Sequence, residues 1–529
     1  MTTPSMFDPP EYQKLMRSIR AHFPGLRASM QASDEVTNAH VDHEDEAIAE
    51  ALKVNILGDV GAQEIADALK RGVTGSPQTG SPAASANANA DAVPESFDSC
   101  HTEDDGERAW AILENAGGSQ VPASVVRAMA AYMTRSYVQI GAGYHMSTKG
   151  AITVDMAHRF VARLLNAEQT GRIILGSSAS QLIYMLADCL RDTLEPGDEV
   201  VFAEAAHESN VTPWLALSRH HGIVLRNWEM DTTTMETCPV ENLTPLLNSR
   251  TRVVIFPQVS NLLGTVVDVA AITKHIRARA PAAHVIVDGV AYAPHRVVDV
   301  KAWDVDYYVL STYKVYGPHM GALYGKESAM QELQGLNHYF IPSNVPYKFE
   351  IGGSSHEGCA GLLGLIPYLK FLAKTAQCKK VEGPRGGWRD TTLDISRAEI
   401  VAAFQLMTHI ERHLTRHLLK GLARLAERGL VVIGPAVDLA SDAAVDARIP
   451  TVAFVSTVPN CWPSIIVRAC HEKKVAIRSG HMYSWRMCEA LDIDRSLGVC
   501  RVSLSHYNTT EEVDRFLAVL EKVLSEKHA

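Results

Sequence analysis

Two residues in the segment VIVDGVAYAPHRVVDVKAWDVDYYVLSTYKVYGPHMGALYG are of types that do chemistry as a pair, Asp288 and Lys314. One apolar β-run closes on Asp288; a second closes on Ser311, and Lys314 follows in a glycine-punctuated loop. Strands of this kind hand their following residues to one edge of a sheet, so the amine and the carboxylate share it. An amine there can form an imine with an aldehyde cofactor. A carboxylate there can keep a pyridine nitrogen protonated, so that the ring accepts electrons. Pyridoxal 5'-phosphate (PLP) chemistry needs both. Taken singly, a loop lysine is a solvated charge and a strand-end aspartate is a turn former; only spacing and company lift them above that reading.

Three further segments fit the same cofactor. In ILGSSASQLIYML a strand runs into Gly176, Ser177, Ser178, Ala179 and Ser180, and a helix follows. Small residues expose backbone N–H groups, and a helix N-terminus carries partial positive charge, an arrangement that holds phosphate. An ordinary strand-to-helix turn with a serine cap is the commoner meaning of such a string. His207, in FAEAAHESNVTPWLAL, stands just past a strand end, where an imidazole can stack on a pyridine ring; as one of 22 histidines it would otherwise be read as a loop or core residue. Asn261, in FPQVSNLLGTVVDV, can hydrogen-bond a ring hydroxyl or a substrate, although Ser-Asn alone is a turn. Two rival motifs carry little weight. Ser311 to Lys314 also spells the S-x-x-K of penicillin-binding serine enzymes, but S-D-N and K-T-G are both missing. GAGYHM at 141–146 lacks the last glycine of a dinucleotide loop.

The elements that must position these residues are legible as alternating β-runs and helix-period segments. Strands are expected at 172–175, 199–203, 224–228, 252–257, 284–288, 307–310 and 321–324, with helices between most of them, such as 180–194 and 269–279. Interleaving of this kind means an α/β fold with a mainly parallel seven-stranded sheet covered on both faces. From about residue 395 the pattern changes to a long helix (396–428), shorter β-runs at 430–433, 451–456, 475–478 and 500–505, and a closing helix at 510–526, a smaller α+β domain. At that closing helix, Thr510 with Val513 does not spell a capping box. The expected organisation is an N-terminal helical segment (1–27, helix at 12–22), a flexible insertion (28–107), a large cofactor-binding domain (108–394) and the small domain (395–529). The insertion carries two short helix candidates, 42–53 and 63–71, and then a Gly/Ser/Ala/Asn/Pro-rich run too poor in apolar surface to offset chain entropy.

Composition sets outer limits. Of 529 residues, 46% are hydrophobic and 21% charged, with a net charge of −10, so a sizeable core is available and no basic nucleic-acid footprint is expected. No stretch reads as a membrane span and the N-terminus lacks the apolar run of a secretory signal. Nine cysteines lie scattered without a C-x-x-C pair, which points to reduced thiols in a cytoplasmic protein, with no disulfide framework and no metal site.

In order along the chain, LENAGGSQVP, GSSAS, AAHESNVTPW, VSNLLGTVVDV, VDGVAYAPH, STYKVYGPHMGALYG and CRVSLSHYNTTEEVDRF resemble the cysteine desulfurase / selenocysteine lyase group of class V aminotransferase-type PLP enzymes. The resemblance covers roughly residues 109–529. It implies the type I PLP-transferase fold and the following roles. Lys314 carries the cofactor as a Schiff base, Asp288 partners the pyridine nitrogen, and His207 stacks on the ring. Ser177, Ser178 and Ala179, with Ser311 and Tyr313, cradle the cofactor and its phosphate. Asn261 lies near ring and substrate, Arg501 grips the substrate carboxylate, and Arg478 and Tyr483 flank the substrate. The loop GGSSHEG, from Gly352 to Gly358, resembles the one that reaches into a partner subunit's site, which implies a homodimer. Two departures stand out. In IRSGHMYSW, Tyr483 takes the position of the nucleophilic cysteine, and Ala291 the position of the residue that would bond the ring hydroxyl. The expected function is therefore a PLP-dependent C–S lyase, eliminating at the β-carbon of cysteine or a cysteine derivative without a catalytic thiol. A class V aminotransferase or an amino-acid epimerase is the alternative. A non-catalytic PLP-fold binding protein is disfavoured by the retained Lys314, Asp288 and Arg501.

Overall fold

The computed structural model describes residues 9–24, 26, 110–377 and 393–526; the expected insertion at 28–107, with its two helix candidates, lies outside them. Thirteen strands are described: β1 (Ala111–Ile112), β2 (Gly171–Gly176), β3 (Glu199–Ala203), β4 (Val224–Trp228), β5 (Thr251–Pro257), β6 (His284–Asp288), β7 (Tyr307–Ser311), β8 (Gly321–Lys326), β9 (Leu430–Ile433), β10 (Thr451–Ser456), β11 (Val475–Ala476), β12 (Arg478–Gly480) and β13 (Val499–Ser503). Seven of them form the main sheet in the order β2-β8-β7-β6-β5-β3-β4. Within it only β8 runs against its neighbours.

The central strands read TRVVIFP, HVIVD and YYVLS, rich in β-branched and aromatic residues and almost wholly buried. Such runs suit a strand covered on both faces. Alternate residues feed two cores. Val254, Phe256, Val285, Val287 and Tyr308 face one, packed with the helices Leu365–Gln377 and Arg397–Arg424. Val253, Ile255, Ile286, Tyr307 and Val309 face the other, packed with Trp214 and with Leu182, Leu186 and Leu190 of the helix Ala179–Arg191. Pro257 registers with Asp288, and Asp288 with Val309, so the carboxyl ends of β5, β6 and β7 finish side by side.

The remaining strands form a four-stranded antiparallel sheet, β12-β13-β10-β9, and a two-stranded parallel pair, β1-β11. The single strand expected at 475–478 is thus two. Val475–Ala476 pairs with β1, whereas Arg478–Gly480 pairs with β13, and the chain breaks between because its two halves have different partners. The long helix ends at Arg424, short of 428; one 3-10 turn follows, closed by Gly429 in the left-handed region at φ 88°. The last helix, Thr510–Ser525, does carry a full capping box, but on Thr509 and Glu512, one residue before the pair considered in the sequence. The apolar stretch His356–Gln377 is long enough to cross a bilayer by length and composition, contrary to the expectation of no such stretch. It is two consecutive helices, mostly buried in the core.

The N-terminal helix, Pro9–Arg20, docks Tyr12, Leu15, Met16 and Ile19 on the main core. Arg20 is buried and donates to Glu512 and to the carbonyl of Tyr507, both at 3.0 Å. Phe23, just past the helix, packs with Tyr316, Tyr368, Tyr507 and His506. The His506 imidazole is fully buried, 2.6 Å from the Tyr368 hydroxyl, and burial pushes its pKa down to about 3. Breaking a buried ion pair from one side leaves an uncompensated charge and costs about 3–5 kcal/mol. Arg20→Met is therefore expected to lower the unfolding free energy read from urea titration by that much, with a lower midpoint at unchanged m-value. Adding Glu512→Gln, which keeps an acceptor for the cap, should recover at least half of the loss; no recovery would mean that Arg20 acts by packing alone.

Candidate active site

The site forms where β3, β5, β6 and β7 end, because each loop leaving those ends carries one of the polar residues singled out above. Asp288, the last residue of β6, is 7% exposed. Its Oδ2 accepts from Asn210 Nδ2 at 2.7 Å and its Oδ1 from the amide of Val290 at 2.9 Å. Asn210 is wholly buried, and its own Oδ1 has no partner among the described residues. The sequence reading missed Asn210. The signal was there, since it lies in AAHESNVTPW and shares with His207 the one 3-10 turn capped by that histidine.

Lys314 ends the 3-10 turn Thr312–Lys314 that follows β7. Burial lowers its pKa to about 8; Arg501 and Arg478 push the same way, while Asp288 and Glu114 oppose them. His207 is depressed below the usual imidazole value first by burial, then by the positive charge of Lys314 and Arg501, against the opposing pull of Asp288. Its Nδ1 accepts the Ser209 amide at 3.1 Å, so the neutral ring carries its proton on Nε2. These mutual effects bring Lys314, His207, Asp288 and Arg501 into one electrostatic cluster, as the motifs implied.

Ser178 caps the helix Ala179–Arg191, its hydroxyl accepting from the amide of Gln181 at 3.1 Å. Ser177 precedes the cap and Ala179 opens the helix, so their amides belong to its N-terminal turn. Gly321 of β8 passes so close that a Cβ there would lie 2.4 Å from the Ser178 carbonyl carbon. Ser311 is buried at the end of β7, registered with Gly321. The ring of Tyr313 stacks on His319, with centroids 4.8 Å apart, and the Tyr313 carbonyl accepts from Ser119.

Asn261 is fully engaged. Its Nδ2 donates to the Met482 carbonyl at 2.9 Å, and its Oδ1 accepts from the Ser484 hydroxyl at 2.8 Å. It thereby pins the loop that carries Tyr483. Tyr483 is 57% exposed, and its ring centroid lies 5.1 Å from that of His207. Met482 and Tyr483 both sit in the left-handed region, at φ 50° and 61°, a strained pair for non-glycine residues. The Glu208 amide donates to the Tyr483 carbonyl at 2.9 Å and helps to hold it. Arg501 on β13 is 3% exposed; it donates through Nη1 to the Asn261 carbonyl at 3.1 Å and through Nη2 to Glu114 Oε1 at 3.0 Å. Arg478 on β12 is its cross-strand neighbour and reaches the same Glu114 oxygen at 3.9 Å. Glu114 is the second residue missed, although it lies within LENAGGSQVP. Gly352 and Gly353 of the 352–358 loop both have positive φ, and Ser355 caps the helix His356–Leu363.

The seven described cysteines are all free and buried. Cys488, the one nearest in sequence to Tyr483, lies within the helix Trp485–Ala490, and burial pushes its thiol up to about 11. No group of three or more potential metal ligands occurs among the described residues.

The family model described as aminotransferase class-V matches residues 111–382 and 398–516. Among relatives, the aminotransferase-like protein FGM3 of Gibberella zeae is 34% identical over 424 residues, covering 79% of this chain and 96% of that protein. A cysteine desulfurase of Serratia proteamaculans is 26% identical, over 78% of this chain and 93% of its own length. The apo structure of the Thermococcus onnurineus cysteine desulfurase superposes with a TM-score of 0.64 at 22% identity, covering 78% of this chain and 94% of that one. The chain therefore belongs to the aminotransferase class-V family of PLP-dependent enzymes, on the type I fold those enzymes share.

Proposed function

We propose that the enzyme cleaves the C–S bond of cysteine or a cysteine derivative by β-elimination, with PLP carried on Lys314 and no protein thiol taking part. The observation that carries this reading is Tyr483. It stands where a nucleophilic cysteine is expected, beside His207, while Cys488, the thiol nearest to it in the sequence, is buried with its pKa pushed up to about 11. A sulfur acceptor made of protein needs an accessible thiolate. Elimination needs none.

The residues present fit the cofactor. Asp288, fixed by two donors, suits a protonated pyridine nitrogen, and the buried Asn210 keeps that carboxylate aimed. His207 would lie against the ring. Ser177, Ser178 and Ala179 at a helix N-terminus, with Ser311 and Tyr313, would receive the phosphate. When bound, PLP supplies the aldehyde that captures a substrate amine and the ring that accepts electrons. Lys314 takes the α-proton on Nζ. With a pKa of about 8, about a tenth of that amine is neutral at pH 7, far more than for an ordinary lysine. Arg501, with Arg478 beside it, orients the substrate carboxylate, and Asn261 and Tyr483 wall the side-chain end. Overall, R–S–CH2–CH(NH3+)–COO− and water give R–SH, pyruvate and ammonium.

The reading extends to a homodimer in which the loop from Gly352 to Gly358 serves the partner's site. Large apolar groups stand in the open on the segment of chain before that loop, with Tyr339 at 95%, Phe340 at 69% and Ile351 at 58% exposure. Exposure of that kind is what a subunit interface covers.

Three outcomes are expected. Purified enzyme incubated with S-substituted cysteines should release thiol and pyruvate in equal amounts. Lys314→Ala should lose at least about 10²–10⁴-fold in rate, and Cys488→Ser should keep its rate. Absence of pyruvate, or dependence on Cys488, would sink the lyase assignment. In cofactor-free protein, acylation of Lys314 followed by mass spectrometry should accelerate with pH through a midpoint near 8; a midpoint near the ordinary lysine value would remove the case for a primed base. Sedimentation of the wild type should give twice the 57.7 kDa chain mass, and Phe340→Glu should shift it toward the single chain.

A further inference from the structure

Arg501 is only half used. Its Nη1 goes to the Asn261 carbonyl and its Nη2 to Glu114, but its buried Nε has no partner among the described residues. An orphaned buried donor is costly, and a guanidinium edge fits a carboxylate through two parallel bonds. Glu114 fills one tooth of that edge with one oxygen and leaves the other empty.

The surroundings allow the Glu114 side chain to move while its backbone stays. The backbone is fixed by a bridge to Ser503, by the Asn115 amide on the Ser503 carbonyl at 3.3 Å and by the Ala116 amide on the Ser503 hydroxyl at 2.8 Å. The carboxylate itself lies over Gly117, where a Cβ would come within 2.3 Å of both of its oxygens. A second cation is at hand: Arg478 already stands 3.9 Å from the same oxygen and is about half exposed. Two guanidiniums here face one carboxylate. A second carboxylate, brought by a ligand, would balance them pair for pair.

We propose that Glu114 is a built-in competitor for the substrate carboxylate. It occupies Arg501 in the resting site and hands it over by turning to Arg478, so that Arg501 is freed only for ligands that carry a carboxylate of their own. Glu114 is on this view a positioning and selectivity residue, acting through Arg501. The inference rests on the reading of Arg501 given above, and it names the switch that sets what the site admits.

The test uses calorimetry on the holoenzyme with two small probes, propionate and propan-1-ol. Glu114→Gln weakens the competitor, and Gly117→Ala pushes it off Arg501 without changing charge. Both should tighten propionate roughly two- to tenfold, the worth of one partly exposed ion pair, and leave propan-1-ol unmoved. Unchanged or weaker propionate binding in both variants overturns the proposal, as does an equal change for propan-1-ol. Because neither probe carries an amine that the cofactor aldehyde could capture, the result stands apart from the catalytic reading; a missing cofactor absorbance on Lys314 would defeat that reading alone.

Discussion

Water has been removed from around an amine, a carboxylate and a guanidinium within one site, and most of the architecture follows from making that tolerable. Isolated buried ions cost several kcal/mol each, so each must be held by partners that cannot drift. Asp288 has a buried amide and a backbone N–H; Arg501 has a carbonyl and Glu114. Lys314 becomes a weaker base chiefly through its burial, with its charged neighbours acting in both directions. The parallel register of β5, β6 and β7 supplies the rigidity, since aligned strand ends fix the origins of the loops before any side chain is chosen.

The two sheets contribute differently. The main sheet offers the groups suited to a cofactor, each at a strand end or within four residues past one. The antiparallel sheet contributes Arg478 and Arg501 from adjacent strands and, through Asn261, is tied to the loop that carries Tyr483. That loop is held at Asn261 and at Glu208, and it pays for its geometry with two left-handed residues in succession. A tyrosine fixed in this way lies tilted against the imidazole of His207, with the two ring planes 38° apart.

Much of this was legible in the residues. The runs at 199–203, 224–228, 284–288, 430–433 and 451–456 form strands with those very limits, because β-branched stretches there are bounded by residues that cannot extend them. Lys314, Asp288, His207 and Arg501 were legible through the order of their motifs. Asn210 and Glu114 were passed over although both lie inside quoted motifs, because their partners lie 78 and 387 residues away and the spelling does not show which residue of a motif makes the contact. The same limit split the expected strand at 475–478, where partner choice, not propensity, decided the break. The closing helix starts at Thr510 as expected, capped by Thr509, whereas the long helix expected at 396–428 runs Arg397–Arg424.

The buried imidazole of His506 makes the fold sensitive to acid in a way its surface would not suggest. An unfolded chain takes up a proton there near pH 6.5, whereas the folded one refuses it until about pH 3. Between those limits the unfolded state binds more protons, so the folded state loses ground steadily as acidity rises. The aromatic cluster that seats the N-terminal helix thus doubles as an acid fuse, and it sits directly behind the turn that bears the reactive amine.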